Sequence, residues 1–74
     1  MTLAIFQTER FAQAVAGRLK YLRLDVRSAA RETGLSAATI SRVARGSPPD
    51  VQSLATLLAW LQLPFEVFVV GRDE

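Results

Sequence analysis

Two glycines, Gly34 and Gly46, constrain this chain most strongly, because they bracket a segment that has room for only a short helix. The stretch reads "ETGLSAATISRVARG" over residues 32–46. Glycine adopts the left-handed backbone conformation at little cost, so each glycine predicts the end of a helix. Ser36 follows the first glycine where an N-cap belongs. The pattern therefore predicts a helix that ends at Gly34, a tight turn, and a second short helix over 37–45.

The flanking segments carry helix signals of the same kind. Asp25 is expected to cap the helix that ends at Gly34, and Thr8 to cap an earlier helix with an apolar stripe. The "SPPD" sequence (47–50) predicts a loop followed by a Leu-rich fourth helix capped by Asp50. Apolar residues at helical spacing predict the core. It includes Phe11, Val15, Leu19 and Leu22 on the first helix, together with Ala29, Ala30, Leu35, Ile40, Val43, Leu54, Leu58 and Leu61.

The segment "FEVFVV" (65–70) fits two interpretations. Its β-branched and aromatic residues favour a strand, whereas its position after the fourth helix suits a short fifth helix. As a strand it could pair with "LAIF" (3–6), within one chain or across a dimer. The sequence therefore predicts an all-α fold, a compact four- to five-helix bundle forming one domain over 1–74, with short β segments at the termini left open.

The chain has 74 residues and contains neither cysteine nor histidine. These absences remove the usual zinc ligands, disulfides and Cys/His nucleophiles, so we expect no metal site, no cofactor and no enzymatic activity. The apolar runs are too short to cross a bilayer, and the N-terminal sequence has no basic region of the kind that begins a secretory signal. The expected location is the cytoplasm, with no membrane partner.

Charge is distributed unevenly along the chain. Residues 10–46 hold eight basic and two acidic residues, a net charge of +6, whereas residues 47–74 hold one basic and four acidic residues, a net charge of −3. Such asymmetry is expected when one face of a protein meets a polyanion. Small helices also carry solvated arginines for solubility, so charge alone leaves the two interpretations open.

The segments "AARETGLSAATISRVARG" and "PPDVQSLATLLAWLQLP" resemble the Cro/phage-repressor (Xre-type) helix-turn-helix regulators. The resemblance covers roughly residues 11–70. "GLSAATISRV" alone is also similar to the headpiece of lactose-repressor-like regulators, but the Leu-rich helix after the loop fits the Cro/repressor group better. The resemblance implies a lambda-repressor-like DNA-binding fold in a bacterial or phage protein that associates with the nucleoid. It also implies a transcriptional repressor that binds a pseudo-palindromic operator in double-stranded DNA as a homodimer.

By that resemblance, the helix from Ala37 to Arg45 is the recognition helix that enters the major groove. Two positions depart from the family pattern. Many members carry glutamine where this chain has Val26, and many carry a long polar residue where it has Ala37. Alanines can contact only a thymine methyl group or permit close approach, which leaves Arg42, Thr39 and Ser41 as the hydrogen-bonding readers, with Arg42 able to bind a guanine through two hydrogen bonds. The residues expected to contact DNA are Arg27, Ser36, Ala37, Ala38, Thr39, Ser41, Arg42 and Arg45.

Three aromatic residues in the last third of the chain, Trp60, Phe65 and Phe68, are the expected dimer contacts, because an exposed cluster of this kind would form an apolar patch. Trp60 could instead be a partly buried ring that covers "FEVFVV". The same patch supports an alternative function, a protein-interaction module such as an antitoxin or an anti-repressor partner. In that case the apolar C-terminal part would bind another protein.

Overall fold

The computed structural model describes residues 2–73. Within that range the chain is mostly helical, with four α-helices and a small two-stranded sheet. The helices are α1 (Thr8–Leu22), α2 (Val26–Thr33), α3 (Ala37–Ala44) and α4 (Val51–Leu61). The strands are β1 (Thr2–Phe6) and β2 (Val69–Asp73), and a 3₁₀ turn (Phe65–Phe68) leads into the second strand.

Three of the four predicted helix caps are confirmed. The carboxylate of Asp25 accepts a hydrogen bond from the Ser28 backbone N–H at 2.8 Å, and Asp50 accepts one from Ser53 at 2.6 Å. The hydroxyl of Ser36 serves α3 in the same way. The prediction for Thr8 is wrong, since Thr8 is itself the first residue of α1 and the N-cap position has no side-chain cap.

The helix ends use the left-handed conformation four times, twice without glycine. Gly34 and Gly46 have φ of 78° and 112°, as their positions predicted. Arg23 after α1 and Gln62 after α4 adopt φ of 56° and 60°. Both residues complete the paired hydrogen bonds that close a helix, as in Leu63 N–H to Leu58 O at 3.2 Å.

The helices and the 3₁₀ turn share one core, whose fully buried centre is formed by Phe11, Val15, Ile40 and Leu57. Most of the predicted core residues are buried or partly buried, and Leu22 is the exception at 36% exposed. The buried ones are Phe11, Val15, Ala29, Ile40, Val43 and Leu61, and the partly buried ones are Leu19, Ala30, Leu35, Leu54 and Leu58. In α4, Leu57 is fully buried, whereas Leu54 and Leu58 are partly buried against the core.

The terminal segments form an antiparallel pair within the chain. Ile5 lies opposite Val70 and Phe6 opposite Val69, which resolves the ambiguous segment as a 3₁₀ turn followed by a strand. Phe6 anchors the pair to the core through Phe11 and Phe68, at ring-centroid distances of 5.5 and 6.3 Å. The described residues extend 43 × 21 × 19 Å. None of the helices is long and apolar enough to cross a membrane within the described range.

Candidate nucleic-acid interface

The connection between α2 and α3 is fixed by two local devices. Gly34 donates its backbone N–H to Ala30 O at 2.8 Å, which satisfies a carbonyl at the end of α2. The hydroxyl of Thr33 donates to Ala29 O at 2.8 Å and accepts the Leu35 N–H at 3.2 Å. One side chain therefore joins the last turn of α2 to Leu35, in the connection that leads to α3.

The N-terminal side of α3 carries a chain of polar groups. Ser36 Oγ accepts the Thr39 backbone N–H at 3.1 Å and donates to Thr39 Oγ1 at 2.8 Å. Arg42 Nη2 lies 3.5 Å from the same Thr39 oxygen, at the outer limit of a hydrogen bond. These three side chains lie three residues apart and follow one side of the helix, so the guanidinium of Arg42 stays close to the hydroxyls but remains exposed.

The C-terminal end of α3 places a second guanidinium. Arg45 follows the helix, is exposed, and donates from Nε to Ser41 O at 3.3 Å. Gly46 N–H binds Val43 O at 3.0 Å, and Ser47 N–H binds Arg42 O at 3.0 Å. This pair of hydrogen bonds is the Schellman arrangement, which needs a left-handed residue at position 46. The glycine therefore turns the chain away directly after Arg45.

The sequence-predicted contact residues divide by exposure. Ile40 and Val43 point into the core, so the opposite side of α3 faces solvent. Thr39 and Ser41 are half-buried, and so is Ala37, the first residue of α3. The exposed members are Arg27, Ser36, Ala38, Arg42 and Arg45. Hydrogen bonds connect Ser36, Thr39 and Arg42 directly, whereas Arg27 lies on α2, outside that chain of contacts.

The three capped helices differ in the charge at their N-termini. Hydrogen bonds from the Ser28 backbone N–H and then its side chain lower the pKa of Asp25, and Ser53 lowers the pKa of Asp50 in the same way. Both carboxylates stay ionised at neutral pH and offset the positive ends of α2 and α4. α3 is capped by the neutral hydroxyl of Ser36. Its positive end therefore keeps its attraction for an anion.

The sequence around α3 is poor in acidic residues. Residues 26–49 contain four arginines and a single carboxylate, Glu32. That carboxylate accepts a hydrogen bond from Trp60 Nε1 at 3.2 Å. The guanidinium carbon of Arg18 lies 6.0 Å from the centre of the Trp60 ring, within the range of a cation–π contact. Sequence reasoning missed this cluster because its three members belong to three different helices.

The expected aromatic patch needs correction. Phe68 is only 2% exposed and packs edge-on against Phe11 at 5.1 Å, so it belongs to the core and not to an exposed patch. Trp60 is partly buried, packs against the core, and contacts α1 and α2 through Arg18 and Glu32. Phe65 is exposed and stacks on Phe6 at 5.7 Å. The three aromatic residues therefore do not form one surface.

No protein-family model, curated protein or solved structure matches the chain. Among residues 2–73, no group of three or more acidic, histidine or cysteine side chains lies close enough to hold a metal ion. The α2–turn–α3 surface thus stands as the candidate site on its own geometry. It combines a helix N-terminus without a charged cap, the hydroxyls of Ser36 and Thr39, and two exposed arginines, Arg42 on α3 and Arg45 directly after it.

Proposed function

We propose that the protein is a sequence-specific DNA-binding transcriptional regulator, acting as a repressor and as a dimer. α2 and α3 serve as a helix-turn-helix, and α3 enters the major groove of double-stranded DNA. The observation that carries the proposal is the composition of α3: its exposed side combines a neutral N-cap with Arg42 and Arg45, and no acidic residue follows Glu32 until Asp50. Polyanionic DNA is the ligand class that best fits such a surface.

Base recognition falls to the middle of α3. Arg42 can donate two hydrogen bonds to guanine O6 and N7, and the hydroxyl of Thr39 beside it limits the directions that its guanidinium takes. Ala38 is exposed and small, which permits close approach and contact with a thymine methyl group. This provides few direct base contacts, so DNA shape and the spacing of two half-sites contribute the rest of the specificity.

Phosphate contacts fall to the ends of the helix pair. Arg45 lies just beyond α3, and Arg27 is the second residue of α2. A contact of this kind carries no sequence information, but it positions the protein and makes binding depend on salt. Two copies on one operator would read half-sites about 34 Å apart, one helical turn of DNA. Repression would then follow from occupancy of the operator.

Selection from random duplexes, followed by binding measurements at several salt concentrations, tests the proposal. We expect one enriched sequence and an affinity that falls steeply with salt. Arg42→Ala should weaken binding to the enriched site by about 1–3 kcal/mol and relax one base position. Arg45→Ala should weaken binding to all sequences and reduce the salt slope by about one.

Arg10→Ala is the matched control, because it removes the same charge from the first turn of α1, where the guanidinium binds Gln7 at 3.0 Å. It should leave the selected sequence unchanged and affinity within about a factor of two. If no sequence is enriched and binding is independent of salt, the proposal fails. It also fails if Arg10→Ala costs as much as Arg42→Ala at the enriched site.

A second candidate function is a protein-interaction module of the antitoxin or anti-repressor type. The exposed apolar side chains of Leu63, Phe65 and Val67, between 37% and 43% exposed, favour it. Exposed apolar side chains of this kind can pack against a protein partner. The two functions give different results in the same experiment, since a module without DNA affinity would yield no enriched duplex and no effect of Arg45→Ala.

A further inference from the structure

The two-stranded sheet has one face on which several aliphatic side chains are exposed. Side chains of a strand alternate between faces, and directly opposed residues share one. Leu3, Ile5 and Val70 therefore lie on the same face, and they are 46%, 48% and 42% exposed. Phe6, on the opposite face, is partly buried against the core. The register also places Arg72 opposite Leu3, on the same face as Leu3, Ile5 and Val70. The sheet thus uses one face to attach to the helices, and its other face presents three large aliphatic side chains in addition to Arg72.

The hydrogen-bond pattern of the sheet shows which backbone groups point outwards. Gln7 donates its N–H to Phe68 O at 2.7 Å, so the position just beyond Phe6 and Val69 is a hydrogen-bonded pair. In an antiparallel ladder, hydrogen-bonded pairs of opposed residues alternate with pairs whose two residues share no hydrogen bond. Ile5 and Leu3 therefore bond towards β2, whereas the N–H and C=O of Ala4 point away from β2, towards the free edge of β1. By the same alternation, Gly71 points towards the free edge of β2.

The two free edges differ in composition. β1 has the sequence TLAIF, which contains no charged residue, proline or glycine. β2 has the sequence VVGRD, in which a glycine and two charged residues follow the valines. Charges and glycines discourage pairing at an edge strand, and their absence leaves an edge open to another strand. The edge of β1 is therefore the one suited to accept a partner strand.

We propose that two copies of this chain associate through β1, whose free edges pair antiparallel about a two-fold axis at Ala4. The two Ala4 residues would then exchange hydrogen bonds through the groups that point outwards. Leu3 of each copy would lie opposite Ile5 of the second copy, on the apolar face, where cross-strand aliphatic pairs stabilise a sheet. An isolated two-stranded sheet is marginal in water, and this pairing converts two of them into one four-stranded sheet.

The partner is a second copy because the edge is complementary to itself. Antiparallel pairing about a two-fold axis closes the assembly at two chains and leaves no unpaired copy of the edge. An uncharged strand offers no electrostatic preference for an acidic or basic partner. The inference rests on the proposed function in one respect: it identifies the dimer that binding to two half-sites requires. Self-association itself needs no DNA and can be measured without it.

The test measures the mass of the full chain in solution by sedimentation equilibrium, over a range of concentrations and without DNA. We expect the wild-type chain to approach twice the chain mass as its concentration rises. Ala4→Pro removes the N–H that points outwards while leaving the ladder to β2 intact, because proline is tolerated at the free edge of a strand. This variant should remain monomeric with an unchanged far-UV circular dichroism spectrum. Gly71→Pro, the matched change at the edge of β2, should still dimerise.

Leu3→Thr combined with Ile5→Thr provides a second measurement that keeps a β-branched residue at position 5. It should raise the dimer dissociation constant by about tenfold or more. If the wild-type chain stays monomeric, or if Ala4→Pro dimerises as well as wild type, the inference is wrong. Loss of dimerisation in Gly71→Pro alone would place the interface at β2 and would also overturn it. DNA selection measures a separate property, so a monomer that still enriches one sequence would refute this inference and leave the proposed function standing.

Discussion

Replacing glycine by alanine should have opposite effects at two positions of this chain, Gly34 and Gly17. Gly34 ends α2 with φ of 78°, whereas Gly17 lies inside α1. A Cβ added at either position meets nothing within 4 Å, so packing contributes to neither result. The difference between the two variants therefore isolates backbone conformation.

The magnitudes follow from that conformation. A residue with a Cβ in the left-handed region costs about 1–2 kcal/mol, so Gly34→Ala should lower the free energy of unfolding by that amount. Alanine is about 1 kcal/mol more favourable than glycine inside a helix, so Gly17→Ala should raise the same free energy by about 1 kcal/mol. The two variants should differ by about 2–3 kcal/mol in stability, despite identical changes in composition.

Urea unfolding gives the free energy of unfolding of both variants. The transition is monitored by far-UV circular dichroism and by the fluorescence of Trp60, the chain's single tryptophan. Thermal unfolding offers a second reading, at about 4–8 °C per kcal/mol for a chain of this size. A Gly34→Ala variant as stable as wild type would show that residue 34 does not hold a left-handed turn in solution. That result would refute the turn between α2 and α3, and with it the geometry of the candidate site.

Three further predictions concern stability. Thr33→Val removes the hydroxyl that joins α2 to Leu35 and leaves the Leu35 N–H unpaired, so it should lower the free energy of unfolding in urea by about 1–3 kcal/mol. An unchanged free energy would show that this hydroxyl contributes nothing to stability. Gln62→Gly relieves a left-handed non-glycine residue and should stabilise by up to about 1 kcal/mol, and a lower melting temperature would contradict this. The caps Asp25 and Asp50 have a pKa below the ordinary 3.8, so their stabilisation is complete above that pH and is lost as pH falls through the lower folded values. Asparagine at both positions keeps the caps without titrating. The melting temperature of that variant should therefore fall less between neutral pH and about pH 3 than the melting temperature of wild type. Equal decreases would contradict the role of the two carboxylates.

Features fixed by a few neighbouring residues could be predicted from the sequence. The caps at Asp25, Ser36 and Asp50 and the turn at Gly34 each depend on a hydrogen bond or a φ angle within a few positions. The ends of α1 and α4 could not be predicted in the same way. Arg23 and Gln62 adopt the conformation that glycine favours, and the hydrogen bonds that close α1 and α4 offset the cost.

Features that depend on distant contacts were predicted less well. The strand ending at Asp73 forms because β1 supplies a partner from the opposite end of the chain, and no local pattern distinguishes that strand from a short helix. Phe68 was assigned to an exposed patch, yet it fills the core beside Phe11. Its burial follows from the path of the 3₁₀ turn, which brings the C-terminal segment back across α1.

The candidate site was anticipated in part. Arg42, Arg45 and Ala38 are exposed, as a recognition surface requires, whereas Ala37 is more enclosed than its position at the helix start suggested. Two features are known only from the structure. One is the pair of hydrogen bonds between Ser36 and Thr39, and the other is the neutral cap of α3, which contrasts with the charged caps of α2 and α4. Whether this surface binds DNA stays a prediction.

The central claim is that α3 meets DNA, and that the apolar surface of Leu63, Phe65 and Val67 does not. Backbone amide chemical shifts of the full chain, measured by nuclear magnetic resonance while a short DNA duplex is added, test it most directly. The account predicts that amides over 36–45 shift and broaden, with Thr39 among them, and that those over 63–71 stay in place. Shifts confined to 63–71, or no shifts at low salt, would contradict it.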